Sequence, residues 1–190
     1  MIRVSSITAL LSLGLVACAA GPPTSFYTLD AVGPEGAPAA STVAAPLVVT
    51  VSLPEILDRT QLVRRAGPGQ LTISPADRWA APLDDLARRA LAKDLALRLP
   101  GRLVTVDRPE SASEPAVLRV AIEEFTADGA GRVTLDGHWT VTAGDGGTIS
   151  PPSSVHIVTA ATDSSAAAAV QAMSAALAQL GDQIAAKERR

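Results

Sequence analysis

Apolar residues recur at the helical period between Pro82 and Gly101. One of them falls at every fourth position and two more lie beside this stripe: Leu83, Ala87, Leu91, Leu95 and Leu99, with Leu86 and Ala90. Such a stripe is typical of a helix that buries one face. Because proline suits the first helical position and Pro-Gly ends the pattern, the sequence predicts a helix over residues 82–99.

A second helical pattern lies near the C-terminus. Its apolar residues step by three and four: Val170, Met173, Leu177, Leu180 and Ile184. Thr162 or Asp163 is the predicted N-cap, which gives a helix over residues 163–187. Alanines flank this narrow apolar seam. We therefore expect the helix to lie close to a sheet or to another helix.

Elsewhere apolar and polar residues alternate at the period of two that indicates strands. The predicted strands cover residues 26–29, 47–53, 62–65, 71–74, 103–106, 116–126, 132–143 and 155–159. Glycine-containing turns at residues 67–69, 129–131 and 144–147 predict hairpins, whose strands are antiparallel. The predicted fold class is α+β, with a mostly antiparallel sheet and two main helices packed on one face.

The N-terminus has the pattern of a secretory signal peptide over residues 1–17. Arg3 precedes an apolar run from Ile7 to Val16, which is shorter than the roughly 20 residues that span a bilayer. Leu15-Val16-Ala17-Cys18 resembles a bacterial lipobox, in which the cysteine becomes the acylated first residue of the mature protein. Since Cys18 is the only cysteine, an intramolecular disulfide is excluded. The alternatives are an ordinary signal peptide with a chance cysteine, or a small buried cysteine.

The remaining chain is long enough for one domain. Residues 18–45 are predicted to hold the acylated N-terminus, a short strand, and a linker rich in Pro, Ala and Gly that continues to residue 46. Residues 46–190 are predicted to form the single domain.

A polar turn and the strand after it contain the candidate partner-binding residues. These are Asp58, Arg59, Gln61, Arg64 and Arg65. One interpretation is a solvated loop, in which Asp58 and Thr60 satisfy backbone N–H groups. The other is an edge that contacts a partner protein, because loops often carry function.

Composition argues against several classes of function. The formal net charge of −3 does not favour nucleic-acid binding, and two histidines, His138 and His156, leave little material for a zinc site. Neither histidine lies in a nucleophile-elbow motif, and the chain has no P-loop or dinucleotide fingerprint. We therefore expect no enzymatic activity, no metal and no cofactor.

Several segments resemble the PqiC-type auxiliary lipoproteins, also called ABC-type transport auxiliary lipoproteins. They are LPEILDRTQLVRR, LTIS, RWAAPL with the leucine helix ending in LPG, and, nearer the C-terminus, GRVTLDGHWTVTA followed by AMSAALAQLGDQIAA. The resemblance extends over nearly the whole chain and favours the partner-contacting interpretation of the polar turn.

The resemblance implies a non-enzymatic outer-membrane lipoprotein that faces the periplasm. It would work with an MCE-domain protein and its transporter complex in moving lipids between the membranes, and so maintain envelope integrity. Ala19, directly after Cys18, favours the outer membrane under enterobacterial sorting rules. Assembly into a homo-oligomeric ring is also consistent with the family. The alternative function is a lipoprotein that itself binds a lipid or another small apolar ligand, and a hydrolase is a distant third.

Overall fold

One mixed sheet of eight strands and two helices make up the described part of the chain, residues 23–38, 45–110 and 114–189 of a computed structural model. The strands are β1 (Ser25–Tyr27), β2 (Leu47–Ser52), β3 (Gln61–Gly67), β4 (Gln70–Trp79), β5 (Val104–Thr105), β6 (Ala116–Asp128), β7 (Arg132–Thr142) and β8 (Thr148–Ala160). The helices are α1 (Leu83–Arg98) and α2 (Ala166–Glu188). The predicted α+β class with two main helices is confirmed.

Strand β6 is the centre of the sheet because it has three strand neighbours. β7 pairs with one edge in antiparallel register, and β8 pairs antiparallel with β7. The other edge is shared: β2 pairs in parallel with residues 116–121, and β3 pairs in parallel with residues 127–128. β5 lies beyond β2, whereas β4 and then β1 lie beyond β3. The longest pairings are antiparallel, as the hairpin turns predict, and the parallel ones join segments that are distant in sequence.

Both helices pack on one face of the sheet and against each other. The predicted apolar stripe of α1 faces inward, with Leu91 and Leu95 fully buried. Leu177 and Leu180 of α2 are also fully buried and belong to the same core. The sheet contributes the alternate residues that the period of two predicts, including Leu118, Leu135 and Trp139. Removing this apolar area from water supplies the main driving force for folding.

Helix α2 begins three residues later than the sequence predicts. Ser165 is the N-cap, and its hydroxyl oxygen accepts a hydrogen bond from the Ala168 N–H at 3.1 Å. Asp163 instead accepts a hydrogen bond from the Ser165 N–H at 2.7 Å. Hydrogen bonds from the Ser165 side chain and backbone lower the pKa of Asp163. The prediction of Thr162 or Asp163 as the N-cap is therefore wrong, because the hydroxyl of Ser165 is the group that reaches the first turn.

Residues 29–33, which we call the N-terminal strap, are fixed against both helices. The Asp30 N–H donates to Ser174 Oγ of α2 at 3.1 Å, and the Val32 N–H donates to Asp94 Oδ1 of α1 at 2.8 Å. Arg98 Nη1 donates to the Val32 carbonyl at 2.9 Å. The sequence predicts a linker here, but these contacts hold its first residues in place. Residues 39–44, later in the same predicted linker, lie outside the described residues.

A buried ionic cluster joins the two helices beneath the strap. Arg98 Nη1 lies 3.3 Å from Asp94 Oδ1, and Arg98 Nε lies 2.7 Å from Asp182 Oδ1. Asp94 and Arg98 are both almost completely buried. Burial disfavours the ionised carboxylate and raises the pKa of Asp94 to about 6, although the Val32 N–H and Arg98 oppose this shift.

Candidate functional site

The polar turn between β2 and β3 has a defined backbone conformation. The Leu57 N–H donates to the Pro54 carbonyl at 2.9 Å, and the Asp58 N–H donates to the Glu55 carbonyl at 3.1 Å. Leu57 is buried and fixes the turn to the core. Hydrogen bonding and packing together hold Asp58 and Arg59 at one place on the surface.

Two further segments meet this turn. The Trp79 N–H, at the end of β4, donates to the Thr60 carbonyl at 2.7 Å, and the Ala80 N–H donates to the Tyr27 carbonyl at 2.8 Å. β1 pairs in parallel with the end of β4 and places Phe26 opposite Arg78. The turn, β1 and the end of β4 therefore form one continuous surface just before α1.

A pocket of about 500 Å³ lies at this junction. We call it the arginine pocket and define it by Phe26, Asp58, Arg59, Arg78, Trp79 and Pro82. Trp79 is buried and forms part of the core, as expected for a side chain that seals the helix against the sheet, whereas Phe26 is 67% exposed. The pocket thus combines two cationic side chains with aromatic surface.

Neither guanidinium of the arginine pocket has a hydrogen-bond acceptor or a carboxylate partner among the described residues. The Nε atoms of Arg59 and Arg78 are both buried and unsatisfied. Asp77, next to Arg78 in sequence, is engaged elsewhere: it accepts hydrogen bonds from the Tyr27 hydroxyl at 3.3 Å and the Ser74 hydroxyl at 2.6 Å. A buried donor without an acceptor costs about 1–3 kcal/mol, so this pair of arginines favours binding of an anion.

The other candidate arginines point away from this pocket. Arg64 Nη1 donates to the Ser164 carbonyl at 2.9 Å, just before α2, so Arg64 reaches the helix side of the sheet. Arg65 Nη2 lies 2.7 Å from Glu124 Oε1 of β6. Neighbouring residues of a strand point to opposite faces, which explains why the two arginines diverge. Gln61 opposes Arg78 in the β3–β4 register and is half-buried. The structure brings Asp58 and Arg59 together with Arg78 and places Arg64 and Arg65 elsewhere.

Sequence reasoning missed Arg78. The signal was available in the alternation of β4, because Trp79 points into the core and its neighbour must point the other way. What the alternation cannot give is the parallel pairing with β1, which completes the pocket with Phe26.

The sheet face opposite the helices is polar. Its exposed side chains include Arg119, Glu123 and His138, and we call this surface the open sheet face. His138 Nδ1 lies 3.2 Å from Glu123 Oε1, and His156 contacts Asp136. Among the residues that the structure describes, no group of three or more His, Cys, Asp or Glu side chains is arranged to hold a metal ion. His138 is thus an exposed strand histidine paired with a carboxylate.

The predicted lipid-attachment residue, Cys18, lies outside the described residues. Within the described ranges, neither helix is both long enough and apolar enough to cross a bilayer.

Comparison with known proteins gives two matches to named relatives. Over 92 residues the chain is 30% identical to the intermembrane transport lipoprotein PqiC of Escherichia coli K12 and to the protein of the same name from Shigella flexneri. In each case the aligned region covers 48% of this chain and 48% of the relative. The match thus spans about half the length of these curated relatives.

Solved structures share the fold, among them the following two. A crystal structure of an uncharacterized protein superposes with a TM-score of 0.72 at 24% identity, covering 87% of this chain and 99% of that chain. Protein XCC0632 from Xanthomonas campestris superposes with a TM-score of 0.70 at 18% identity, covering 87% of this chain and 95% of that chain. At these identities the likeness concerns the fold.

The family comparison covers more of the sequence than either named relative. Residues 27–185 match the ABC-type transport auxiliary lipoprotein component family, a span that includes the turn, the residues of the arginine pocket other than Phe26, the whole of α1, and α2 as far as residue 185. The chain therefore belongs to the ABC-type transport auxiliary lipoprotein family.

Proposed function

We propose that this chain is an outer-membrane lipoprotein that serves as a non-enzymatic auxiliary component of an MCE-type intermembrane lipid transport system. In this role it docks the periplasmic partner and supports envelope integrity. The observation that carries the proposal is the family match over residues 27–185. The name of the two PqiC relatives, intermembrane transport lipoprotein, supports the same role.

Cys18 supplies the membrane attachment in this proposal. It is the only cysteine, and it follows Leu15-Val16-Ala17 at the end of an apolar leader. Two or more acyl chains hold a protein stably at a bilayer, since each buried methylene contributes about 0.8 kcal/mol. The domain then needs no spanning helix.

Docking is assigned to the accessible part of the candidate stretch from Asp58 to Arg65. Asp58 is exposed, and Arg59, Gln61 and Arg65 are partly exposed. Arg65 and Glu124 extend this edge onto the open sheet face. Arg64 supports this edge from the helix side of the sheet, because it donates hydrogen bonds to the Ser164 and Ser165 carbonyls just before α2. Arginine suits such an interface because its planar group binds carboxylates and carbonyls in a fixed geometry.

The test is co-purification from detergent-solubilised envelopes, with the bound proteins identified by mass spectrometry. We expect an MCE-domain protein with the wild-type chain and its loss with Gln61→Ala plus Arg65→Ala, which leaves the arginine pocket intact. The melting temperature should change little, as is usual for partly exposed positions. Arg132→Ala is the matched control, because Arg132 is an exposed strand arginine paired with Asp128.

The same experiment tests the anchor. Wild-type protein should carry acyl groups on Cys18 as its first residue, and Cys18→Ser should leave the outer-membrane fraction. Recovery of a full-length precursor with unmodified Cys18 would refute the anchor. Wild-type protein that retains no MCE-domain partner would refute the docking role.

The alternative function, uptake of a whole lipid by this domain, needs an apolar cavity of about 300–1,000 Å³. The apolar faces of α1 and α2 are instead packed against the sheet, where Leu91, Leu118 and Leu177 have zero exposure. The arginine pocket is of sufficient volume but carries charged groups at the surface. We therefore favour the docking role.

A further inference from the structure

We propose that the arginine pocket binds the phosphodiester group of a membrane glycerophospholipid and so holds the domain in a fixed orientation against the bilayer. The part of this inference that concerns distance from the membrane rests on the proposed acylation of Cys18. The part that concerns ligand chemistry rests on the pocket itself.

The charge of the pocket matches one phosphodiester. Arg59 and Arg78 contribute two positive charges and Asp58 one negative charge, which leaves one net positive charge. Arginine is well suited to phosphate because its planar fork can donate two parallel hydrogen bonds. A phosphodiester would also offer acceptors near the two buried Nε atoms.

The arginine pair stands out against the other arginines of the described residues. Six of these each bind a carboxylate: Arg65, Arg88, Arg89, Arg98, Arg102 and Arg132. Arg64, Arg119 and Arg189 instead donate to carbonyl or hydroxyl oxygens of the chain. Arg59 and Arg78 have neither kind of partner in the described ranges and share one pocket. Their charge is therefore available to an external anion.

Chain length limits how far the pocket can lie from an acylated Cys18. Seven residues separate Cys18 from Phe26. Even a fully extended chain of this length spans less than about 29 Å. A domain of this size is about 35–40 Å wide from the scaling of its radius of gyration. An acylated Cys18 would thus keep Phe26 within about 29 Å of the bilayer, which is less than the width of the domain, so the pocket would not lie at the side farthest from the membrane.

Exposed apolar side chains beside the pocket suit the same surface. Phe26 is 67% exposed and is opposite Arg78 in the β1–β4 register. Ile56, in the same turn as Asp58 and Arg59, is 47% exposed. Aromatic and aliphatic side chains next to cationic ones are typical of surfaces that lie in the lipid headgroup region. A soluble anion would not require this apolar rim.

Native mass spectrometry of the full chain, released from detergent micelles, tests the proposal. The chain is equilibrated with phosphatidylglycerol, with diacylglycerol of the same acyl chains, or with inorganic phosphate. We expect one retained phosphatidylglycerol, no retained diacylglycerol, and competition by inorganic phosphate only at a concentration at least about tenfold higher than that of the lipid. Retention should fall at least about tenfold in Arg59→Gln plus Arg78→Gln.

Arg119→Gln plus Arg132→Gln is the matched control, because it removes the same charge from exposed strand positions outside the pocket. It should retain the lipid as the wild type does. Thermal unfolding checks that each variant folds, and the single variants Arg59→Gln and Arg78→Gln replace the double variant if that one does not fold. No partner protein is present, so this result is independent of whether docking to an MCE-domain protein succeeds or fails.

Three results would overturn the proposal. Equal retention by the wild-type and pocket variants would exclude the arginines, and equal retention of diacylglycerol would exclude recognition of phosphate. Inorganic phosphate that displaces the lipid at or below the lipid's own concentration would assign the pocket to a soluble anion.

Discussion

Two glycines, Gly137 and Gly181, differ in how much space is available for a side chain. At Gly137 of β7 an added Cβ would lie 2.3 Å from the Ala121 carbonyl oxygen of β6, where the pairing of the two strands is irregular. At Gly181 of α2 an added Cβ would lie 3.4 Å from Asp94 Cβ and from Arg98 Cδ of α1. The first contact is with backbone and too short for any carbon. The second is an ordinary van der Waals contact.

Alanine should therefore have opposite effects at the two positions. Gly181→Ala should raise the free energy of unfolding by about 0.5–1 kcal/mol, because glycine is a poor residue for a helix interior. Gly137→Ala should lower it by about 1–3 kcal/mol, as overpacking does. Urea unfolding of both variants measures the two changes. A destabilised Gly181→Ala would show that the helices cannot accept even one methyl group where they cross.

At the scale of single residues, the sequence predicted side-chain direction better than side-chain partners. The inward residues Leu118 and Trp139, and the outward His138, follow from alternation and are confirmed. Of the two pocket arginines, Arg59 was named as a candidate for partner binding, and Arg78 was not named. Their proximity depends on how the turn meets the end of β4, and no local pattern encodes that contact.

Among the elements, α1 is the one that the sequence describes most fully. Leu91 lies at the centre of its apolar stripe and has zero exposure. Leu91→Ala should lower the free energy of unfolding by about 2–5 kcal/mol, because the cavity left in a packed core adds to the lost transfer energy. Chemical denaturation gives the value. Leu97→Ala, on the same helix but 49% exposed, is the control and should cost far less; similar losses at both positions would contradict the assigned face.

Strands β4 and β8 are longer in the structure than in the sequence-based prediction, because proline residues limit the strands that the sequence predicts. Pro75 ends the predicted strand at residue 74, and Pro151 with Pro152 delays the last one to residue 155. In the structure β8 is an edge strand that pairs only with β7. Proline has no backbone N–H to donate, and an edge strand tolerates this because one side of it has no neighbouring strand to pair with. Pro75 lies where the β3–β4 register is interrupted. Proline ends a strand in a sequence pattern, but an edge or an irregular register accommodates it.

For the molecule as a whole, the buried Asp94 makes stability depend on pH. Its pKa is about 6 in the folded chain, because burial raises it above the ordinary value of 3.8. Between these values the folded state binds more protons than the unfolded state. Asp94 therefore makes the folded state progressively less stable as pH rises from about 4 to about 6, and its effect is constant at higher pH.

Asp94→Asn should remove this dependence. The amide keeps an oxygen that can accept from the Val32 N–H, but it does not titrate. We expect the stability of the wild type, relative to Asp94→Asn, to fall as pH rises through this window. Urea unfolding of both proteins at several pH values measures it. Asp85, Asp128 and Asp163, whose pKa values are lowered, are present in both proteins and cancel in the difference. A difference that does not change with pH would mean that Asp94 titrates normally.

The sheet order is the part of the architecture that the sequence could not supply. Hairpin turns predict which neighbours are antiparallel, and β6–β7 and β7–β8 follow that rule. The parallel pairing of β2 with β6 joins Leu47 to Ala116. Period-two alternation in each strand reports which face is buried but not which strand lies alongside. Only the packing of the whole chain determines that choice.

The position of β6 also determines the order in which the sheet can be completed. β2 has two strand neighbours, β5 and β6, and both follow α1 in the chain. During synthesis from the N-terminus, β2 is therefore made before either of its strand neighbours. Pairing β2 with β6 closes the long loop formed by the chain between them. Closing that loop costs chain entropy before the pairing contributes any stability, whereas the β6–β7 and β7–β8 hairpins need only short loops. The edge of β2 that pairs with β6 is therefore left unpaired until the β6–β7 hairpin forms.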